Sequence, residues 1–172
     1  MIRRALIDDI DTILSIVRSA QLSLRELGID QWQDGYPSRE VIEEDIRAGV
    51  GYVECDSCDT AIGYAAIVLT GERAYLQIAD DAWHTAGRYV VVHRLCVAAN
   101  ARRCGVAIEL MRYAAALARQ NGIFGFRIDT HEGNVRMRQM MQRLGFSYCG
   151  IIYYDSGKRE AYDLDLTLSN IL

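Results

Sequence analysis

The chain of 172 residues has one proline, Pro37, and three histidines. It has no apolar run approaching the roughly 20 residues that a helical bilayer crossing needs, so no membrane partnership is expected. The opening stretch MIRRALIDDIDTIL is interrupted by Asp8, Asp9 and Asp11, which leaves no signal-like apolar core. Basic residues do not dominate either: 19 Lys and Arg stand against 23 Asp and Glu, a formal charge of −4. Phosphate neutralisation needs a dominant basic face, so nucleic acid is excluded as the main partner. No linker, repeat or low-complexity segment appears, and one domain over residues 1–172 is expected.

Cysteine is present in an odd number, five: Cys55, Cys58, Cys96, Cys104 and Cys149. Free thiols in a soluble, cytoplasmic protein are the expectation. The pair Cys55-Asp-Ser-Cys58 supplies only two of the four ligands that a structural zinc site takes, and no second pair or histidine lies near it in sequence. Between GYVE and AIGYAAIVL it reads as a hairpin turn.

What remains is ordinary globular material, 51% hydrophobic and 24% charged, enough to build a core. Ile10, Ile13, Leu14, Val17, Gln21 and Leu24 recur at helical spacing, with Asp8 or Asp9 as N-cap candidates and Gly28 as a stop. Ser38 is placed to cap a short helix carrying Val41, Ile42 and Ile46. The runs GYVEC, AIGYAAIVL, RAYLQI and RYVVVHRLCV read as strands. A helix follows from Gly105 to Asn121, then the strand GFRIDT, a helix opened by Asn134, and two strands, FSYCGIIYY and REAYDLDL, around DSGK. The order predicts a mixed α/β sheet, antiparallel at first with helical crossovers later. The C-terminal strands offer an edge on which a homodimer could form.

The segment HRLCVAANARRCGVA joins a strand to a helix through a short glycine turn. Backbone N–H groups at a helix start have no intrahelical partner, and the helix dipole adds to their pull on an anion. Gly105 permits close approach of a ligand, Ala107 is small, and Arg102 and Arg103 bring positive charge. A diphosphate suits such a turn; so does a plain helix start with two solvated arginines.

RLCVAANARRCGVAIELMRYAAALARQNGIFGFRIDTHEGNVRMRQMMQRLGFSYCG resembles the core of the GCN5-related N-acetyltransferases. Arg102, Gly105 and Ala107 match that family's Arg/Gln-x-x-Gly-x-Gly/Ala signature, and Asn134 and Leu144-Gly145-Phe146 match its later landmarks. The resemblance implies a fold whose two central parallel strands splay apart, here HRLCV and FRIDT, and implies acetyl-CoA as cofactor and no metal. Leu95, Cys96 and Val97 would offer backbone groups to pantetheine. Arg102, Arg103, Cys104, Gly105, Val106 and Ala107 would hold the pyrophosphate, with Asn134 as a further cofactor neighbour or simply a helix cap.

Acetyl transfer to an amine requires removal of an ammonium proton and return of a proton to the departing thiolate. His93, two residues before Leu95 and so expected on the same strand face, is the candidate base; a hydrogen-bonding role inside the sheet is the alternative. It is similar in place to a histidine of arylalkylamine N-acetyltransferases, whose second histidine is here Val91. The position of the tyrosine that many relatives use as acid is Met141, which leaves Tyr148, Tyr153 and Tyr154 as substitutes, Tyr148 first. Asp129 and His131 would face one way if their strand extends that far and so reach the acceptor. Trp32 and Tyr36, with Gln33 and Asp34, combine flat apolar surface with polar handles in an acceptor-side loop, or else cover the core edge. The expected activity is acetyl-CoA-dependent N-acetyl transfer to the primary amine of a small molecule in a ternary complex. A non-catalytic acyl-CoA-binding module and a protein or peptide N-acetyltransferase are the alternatives.

Overall fold

The computed structural model describes residues 1–79 and 83–168. Its contacts group into two compact units, Met1–Ile67 with His93–Tyr113, and Val68–Val92 with Ala114–Leu172.

The first unit opens with β1 (Ile2–Arg4), a strand that the sequence reading did not anticipate. Helix α1 (Ile10–Glu26) buries Ile10, Ile13, Ile16, Val17 and Leu24, the face expected from their spacing. Asp9 stands at its N-cap position without a side-chain cap bond, because its carboxylate is taken by Arg3 and by the Leu6 N–H. Helix α2 (Arg39–Arg47) follows Ser38. Strands β2 (Gly51–Cys55) and β3 (Ala61–Val68) pair antiparallel, and Cys55 to Cys58 enter the turn between them. There Asp56 Oδ1 accepts from the Cys58 and Thr60 N–H groups at 2.8 and 3.0 Å, so the Cys-x-x-Cys is the expected hairpin turn. All five cysteines are free thiols. The core here joins Ile13, Ile16 and Val17 to Ile42, Val53, Tyr64 and Cys96.

Strand β4 (Tyr89–Val97) and helix α3 (Val106–Gln120) are common to both units. The first unit orders its strands β1-β2-β3-β4. The second carries β5 (Gly125–Thr130), α4 (Val135–Arg143), β6 (Ser147–Tyr154) and β7 (Gly157–Asp165), in strand order β4-β5-β7-β6. Seven strands thus form a mixed α/β arrangement, in which β4 and β5 run parallel while β1–β2, β2–β3, β5–β7 and β6–β7 are antiparallel. The parallel ladder runs from Tyr89↔Gly125 to Val91↔Arg127 and stops there, although β4 continues to Val97 and β5 to Thr130.

One expected strand is not a strand. Arg73–Gln77 of RAYLQI forms a 3₁₀ turn, capped by Glu72, whose side chain accepts from the Ala74 N–H. Tertiary burial decides it: Tyr75 is 1% exposed while its neighbour Leu76 is 79% exposed, and the Tyr75 ring packs against Trp83 and Tyr89. Ala79, beyond the turn, bridges to Ile151. Among the described residues no helix is long and apolar enough to cross a membrane.

Candidate active site

The strand that carries His93 is bent at the next residue. Arg94 has φ 56°, a left-handed conformation that a non-glycine residue adopts only when its surroundings hold it. They do: Arg94 Nε and Nη2 donate to the two oxygens of Asp45 at 2.8 and 2.6 Å, and Nη1 donates to the Tyr36 hydroxyl oxygen at 2.6 Å. Tyr64 donates its hydroxyl to the same carboxylate at 2.6 Å. Burial works against the Arg94 charge, but the facing Tyr36 and Asp45 keep the guanidinium above its usual range. Burial first, and then Asp45, raises the Tyr64 hydroxyl so that it stays a donor.

A left-handed residue within a strand is bulge geometry and interrupts side-chain alternation. The expectation that His93 and Leu95 share a face rests on that alternation, and the bend at Arg94 removes its basis. His93, Leu95 and Val97 are half-buried, and Cys96 is buried. Burial pushes the Cys96 thiol up to about 12, so it is neutral at physiological pH and unsuited to carry an acyl group.

Beyond Val97 a 3₁₀ turn, Ala99–Ala101, leads to the residues before α3. Arg103 has φ 66° and Gly105 φ 89°. A Cβ built on Gly105 meets nothing within 4 Å, so backbone angle selects the glycine, and its outer side is open to a ligand. Cys104 is exposed, Ala107 half-buried and Val106 buried. The start of α3 lies close on β3: a Cβ on Gly63 would stand 2.4 Å from Val106 Cγ1. Arg102 Nη2 donates to Ser19 O and Oγ, both at 2.9 Å, which tethers the turn to α1. Arg103 is exposed. First-turn amides with no intrahelical acceptor, the dipole's positive end and a cationic rim fit a diphosphate.

The loop from Asp30 to Pro37 is stitched to α1. Gln33 Nε2 donates to Gln21 O at 3.0 Å, Arg25 Nε donates to Gln33 Oε1 at 2.9 Å, and Gln21 Nε2 donates to Tyr36 O at 3.0 Å. Trp32, left-handed at φ 67°, packs on the first unit's core. It also lines a cleft of about 320 Å³ with Arg18, Gln21, Leu22, Arg25, Gln33 and Gly35. Tyr36 is thus brought to Arg94, next to His93, while Trp32 faces the cleft.

In the second unit Asp129 Oδ1 accepts from the Tyr75 hydroxyl at 2.7 Å and the Tyr154 hydroxyl at 3.2 Å. β5 ends at Thr130, so His131 falls outside the alternation that would have paired it with Asp129. Its Nδ1 accepts from the Gly133 N–H at 3.0 Å, as part of the turn into α4. Asn134 caps α4, its side chain accepting from the Met137 N–H at 3.2 Å. Met141 is fully buried in that helix. Tyr148 is 52% exposed, its ring edge-on to Tyr162 with centroids 5.6 Å apart. Sequence reasoning missed Asp45, Tyr64 and Tyr75. No local pattern marks them, because their partners lie 49, 19 and 54 residues away in the chain.

This mixed sheet, with a parallel ladder of three residue pairs and a glycine turn opening α3, is the architecture of an acyl-transferring class. The chain belongs to the GNAT acetyltransferase family, whose model matches residues 19–146. A GNAT-family acetyltransferase structure from Streptococcus agalactiae 2603 is 34% identical, with 96% of this chain and 94% of that one covered and a TM-score of 0.86. The GCN5-related N-acetyltransferase 6, chloroplastic, of Arabidopsis thaliana is 32% identical over 83 residues, which are 48% of this chain and only 27% of that protein's length. The NatC complex bound to Gag peptide and CoA shares the fold, at 15% identity and a TM-score of 0.67, over 96% of this chain and 98% of that one.

Proposed function

We propose that the chain is an acetyl-CoA-dependent N-acetyltransferase acting on the primary amine of a small molecule, by direct attack in a ternary complex. The observation that carries this reading is the turn from Arg102 to Ala107, with an open left-handed Gly105 before the first turn of α3, whose leading amides have no intrahelical acceptor. That a neighbour of the same fold is bound to CoA supports it. When bound, acetyl-CoA supplies the activated thioester. The chain's own residues bind and orient: the backbone of Leu95, Cys96 and Val97 serves pantetheine, and residues 102 to 107 serve the pyrophosphate, with Arg103 as the exposed cation. His93 takes the acceptor's proton, as a positioned imidazole can in general base catalysis. Asn134 as cofactor neighbour rests on the family pattern; Tyr148 stands in as proton donor for the tyrosine that Met141 replaces, and Asp129 and His131 serve as acceptor contacts.

For the acceptor, the cleft beside Trp32 is of the size of small-molecule sites. Gln31 Oε1, buried without a partner among the described residues, offers an acceptor to an N–H on the same loop. The five free cysteines suit a reducing cytoplasm.

The test is a thiol-release assay with acetyl-CoA across small amines, aminoglycosides, amino acids and peptides. Highest kcat/KM on a small primary amine is expected. Faster turnover of peptides would replace the small-molecule reading, and CoA binding without turnover on any acceptor would leave a binding module.

A further inference from the structure

In the second unit three side chains of different chemistry point their ligand atoms at one spot. His84 precedes β4, Cys149 lies on β6 and Asp163 on β7; His84 Nδ1, Cys149 Sγ and an Asp163 carboxylate oxygen all lie within 4.8 Å of one another. Asp163 and Cys149 are 1% exposed, whereas the His84 side chain is 54% exposed.

Both neighbours approach the same ring nitrogen. Asp163 Oδ1 is 3.0 Å from His84 Nδ1, and Cys149 Sγ is 3.3 Å from it. A cysteine–histidine–aspartate relay needs its thiol and carboxylate on opposite nitrogens of the ring, so this is not a nucleophile triad. One ring nitrogen has a single in-plane direction for a proton or a lone pair and serves two partners poorly. A cation at the common focus serves all three.

The surrounding contacts hold the carboxylate as metal ligands are held. Asp163 Oδ2 accepts from the His84 N–H at 2.8 Å, the Thr85 N–H at 2.9 Å and Thr85 Oγ1 at 3.1 Å, which fixes Oδ1 toward His84. Thr85 is fixed in turn, since Arg127 Nη2 donates to its carbonyl at 2.6 Å. That guanidinium lies 4.2 Å from the Trp83 ring centre and 4.0 Å from that of Tyr89. Cys149 is the extra residue of a bulge: the β6–β7 register passes from Tyr148↔Tyr162 to Gly150↔Ala161. Bulges re-aim side chains in this way.

We infer that His84, Cys149 and Asp163 form a zinc site with three protein ligands and a fourth position open to water on the histidine's solvent side. Thiolate, imidazole and carboxylate together select Zn²⁺ over Mg²⁺ or Ca²⁺. Tetrahedral Zn²⁺ with ordinary bond lengths sets its N, O and S ligand atoms about 3.3–3.6 Å apart, a few tenths beyond the two separations seen here. As the Zn–S bond forms, the Cys149 thiol proton leaves to solvent. The ion clamps β6 and β7 to the segment before β4, so it acts on stability.

The test uses the full chain with the exposed Cys58 and Cys104 changed to Ser, so that adventitious thiols do not report. Titration with Co²⁺ is expected to give a thiolate charge-transfer band that saturates at one equivalent, and Zn²⁺ to displace it. Zn²⁺ at a hundredfold excess over its Kd should raise Tm by roughly 5–10 °C. Cys149→Ser should abolish the band, and His84→Ala, at an exposed position that the fold tolerates, should weaken Zn²⁺ binding at least about 100-fold. A missing band in the parent, a band that survives Cys149→Ser, or equal Zn²⁺ affinity in His84→Ala would each overturn the site.

Discussion

Arg94, left-handed at φ 56° in the middle of a strand, is gripped by both oxygens of Asp45 at 2.6 and 2.8 Å. Both side chains are nearly out of solvent, at 13% and 8% exposure. Removing one partner leaves the other's charge buried, and breaking such a pair costs about 3–5 kcal/mol. Asp45→Ala is expected to lose about 3 kcal/mol or more in urea unfolding. Arg94→Gly also loses the pair but accepts the backbone angle, so it should be about 1 kcal/mol more stable than Arg94→Ala. Equal stability of the two Arg94 variants would show that the bend carries no strain.

The approach of α3 to β3 gives a second expectation. Val106, which opens α3, stands 2.4 Å from where a Gly63 Cβ would lie, and a β-branched side chain has few rotamers to retreat into. Gly63→Ala should destabilise by about 1–3 kcal/mol and weaken CoA binding by shifting the start of α3. Adding Val106→Ala makes room, so the double variant should be more stable than the sum of its singles predicts. Chemical denaturation of the four proteins reads this directly, and strict additivity would contradict it.

The parts legible in sequence were those written in local pattern. The buried face of α1, the Cys55–Cys58 hairpin turn, the Asn134 cap and the glycine turn at Gly105 each depend on residues within a few positions of one another. Asp45 with Arg94, and Asp163 with His84, depend on the fold bringing together residues 49 and 79 positions apart, and nothing local announces them. RAYLQI misled because its alternation is the same in a strand and in a turn that buries Tyr75 alone. Asp129 and His131 share a face only if their strand runs past Thr130, and β5 ends there.

For His93 the expectation is kinetic. As the acceptor's base, its loss should lower kcat by about 10²-fold at pH 7. The deficit should shrink as pH rises, because more of the amine then arrives already neutral. His93→Ala is therefore compared with the parent over the full pH–rate profile, at saturating acetyl-CoA. A deficit constant in pH would assign His93 a positioning role within β4 and remove it as the base.

Asp9 ties stability to pH. Arg3 donates to its two oxygens at 2.7 and 3.0 Å, and the Leu6 N–H donates at 2.7 Å. These contacts, Arg3 foremost, hold the carboxyl below its usual value of 3.8 in the fold. A carboxyl whose folded pKa is depressed stabilises fully above its unfolded pKa and loses that contribution as pH falls through the folded value. With the side chain 12% exposed, Asp9→Asn should cost about 1–2 kcal/mol at pH 7. The gap to the parent should hold down to about pH 4 and close below it. Urea unfolding at pH 7, 5 and 3 checks this. A gap that stays constant to pH 3 would mean that the amide loses packing or backbone geometry, and that the charge on Asp9 contributes nothing to holding β1 against the start of α1.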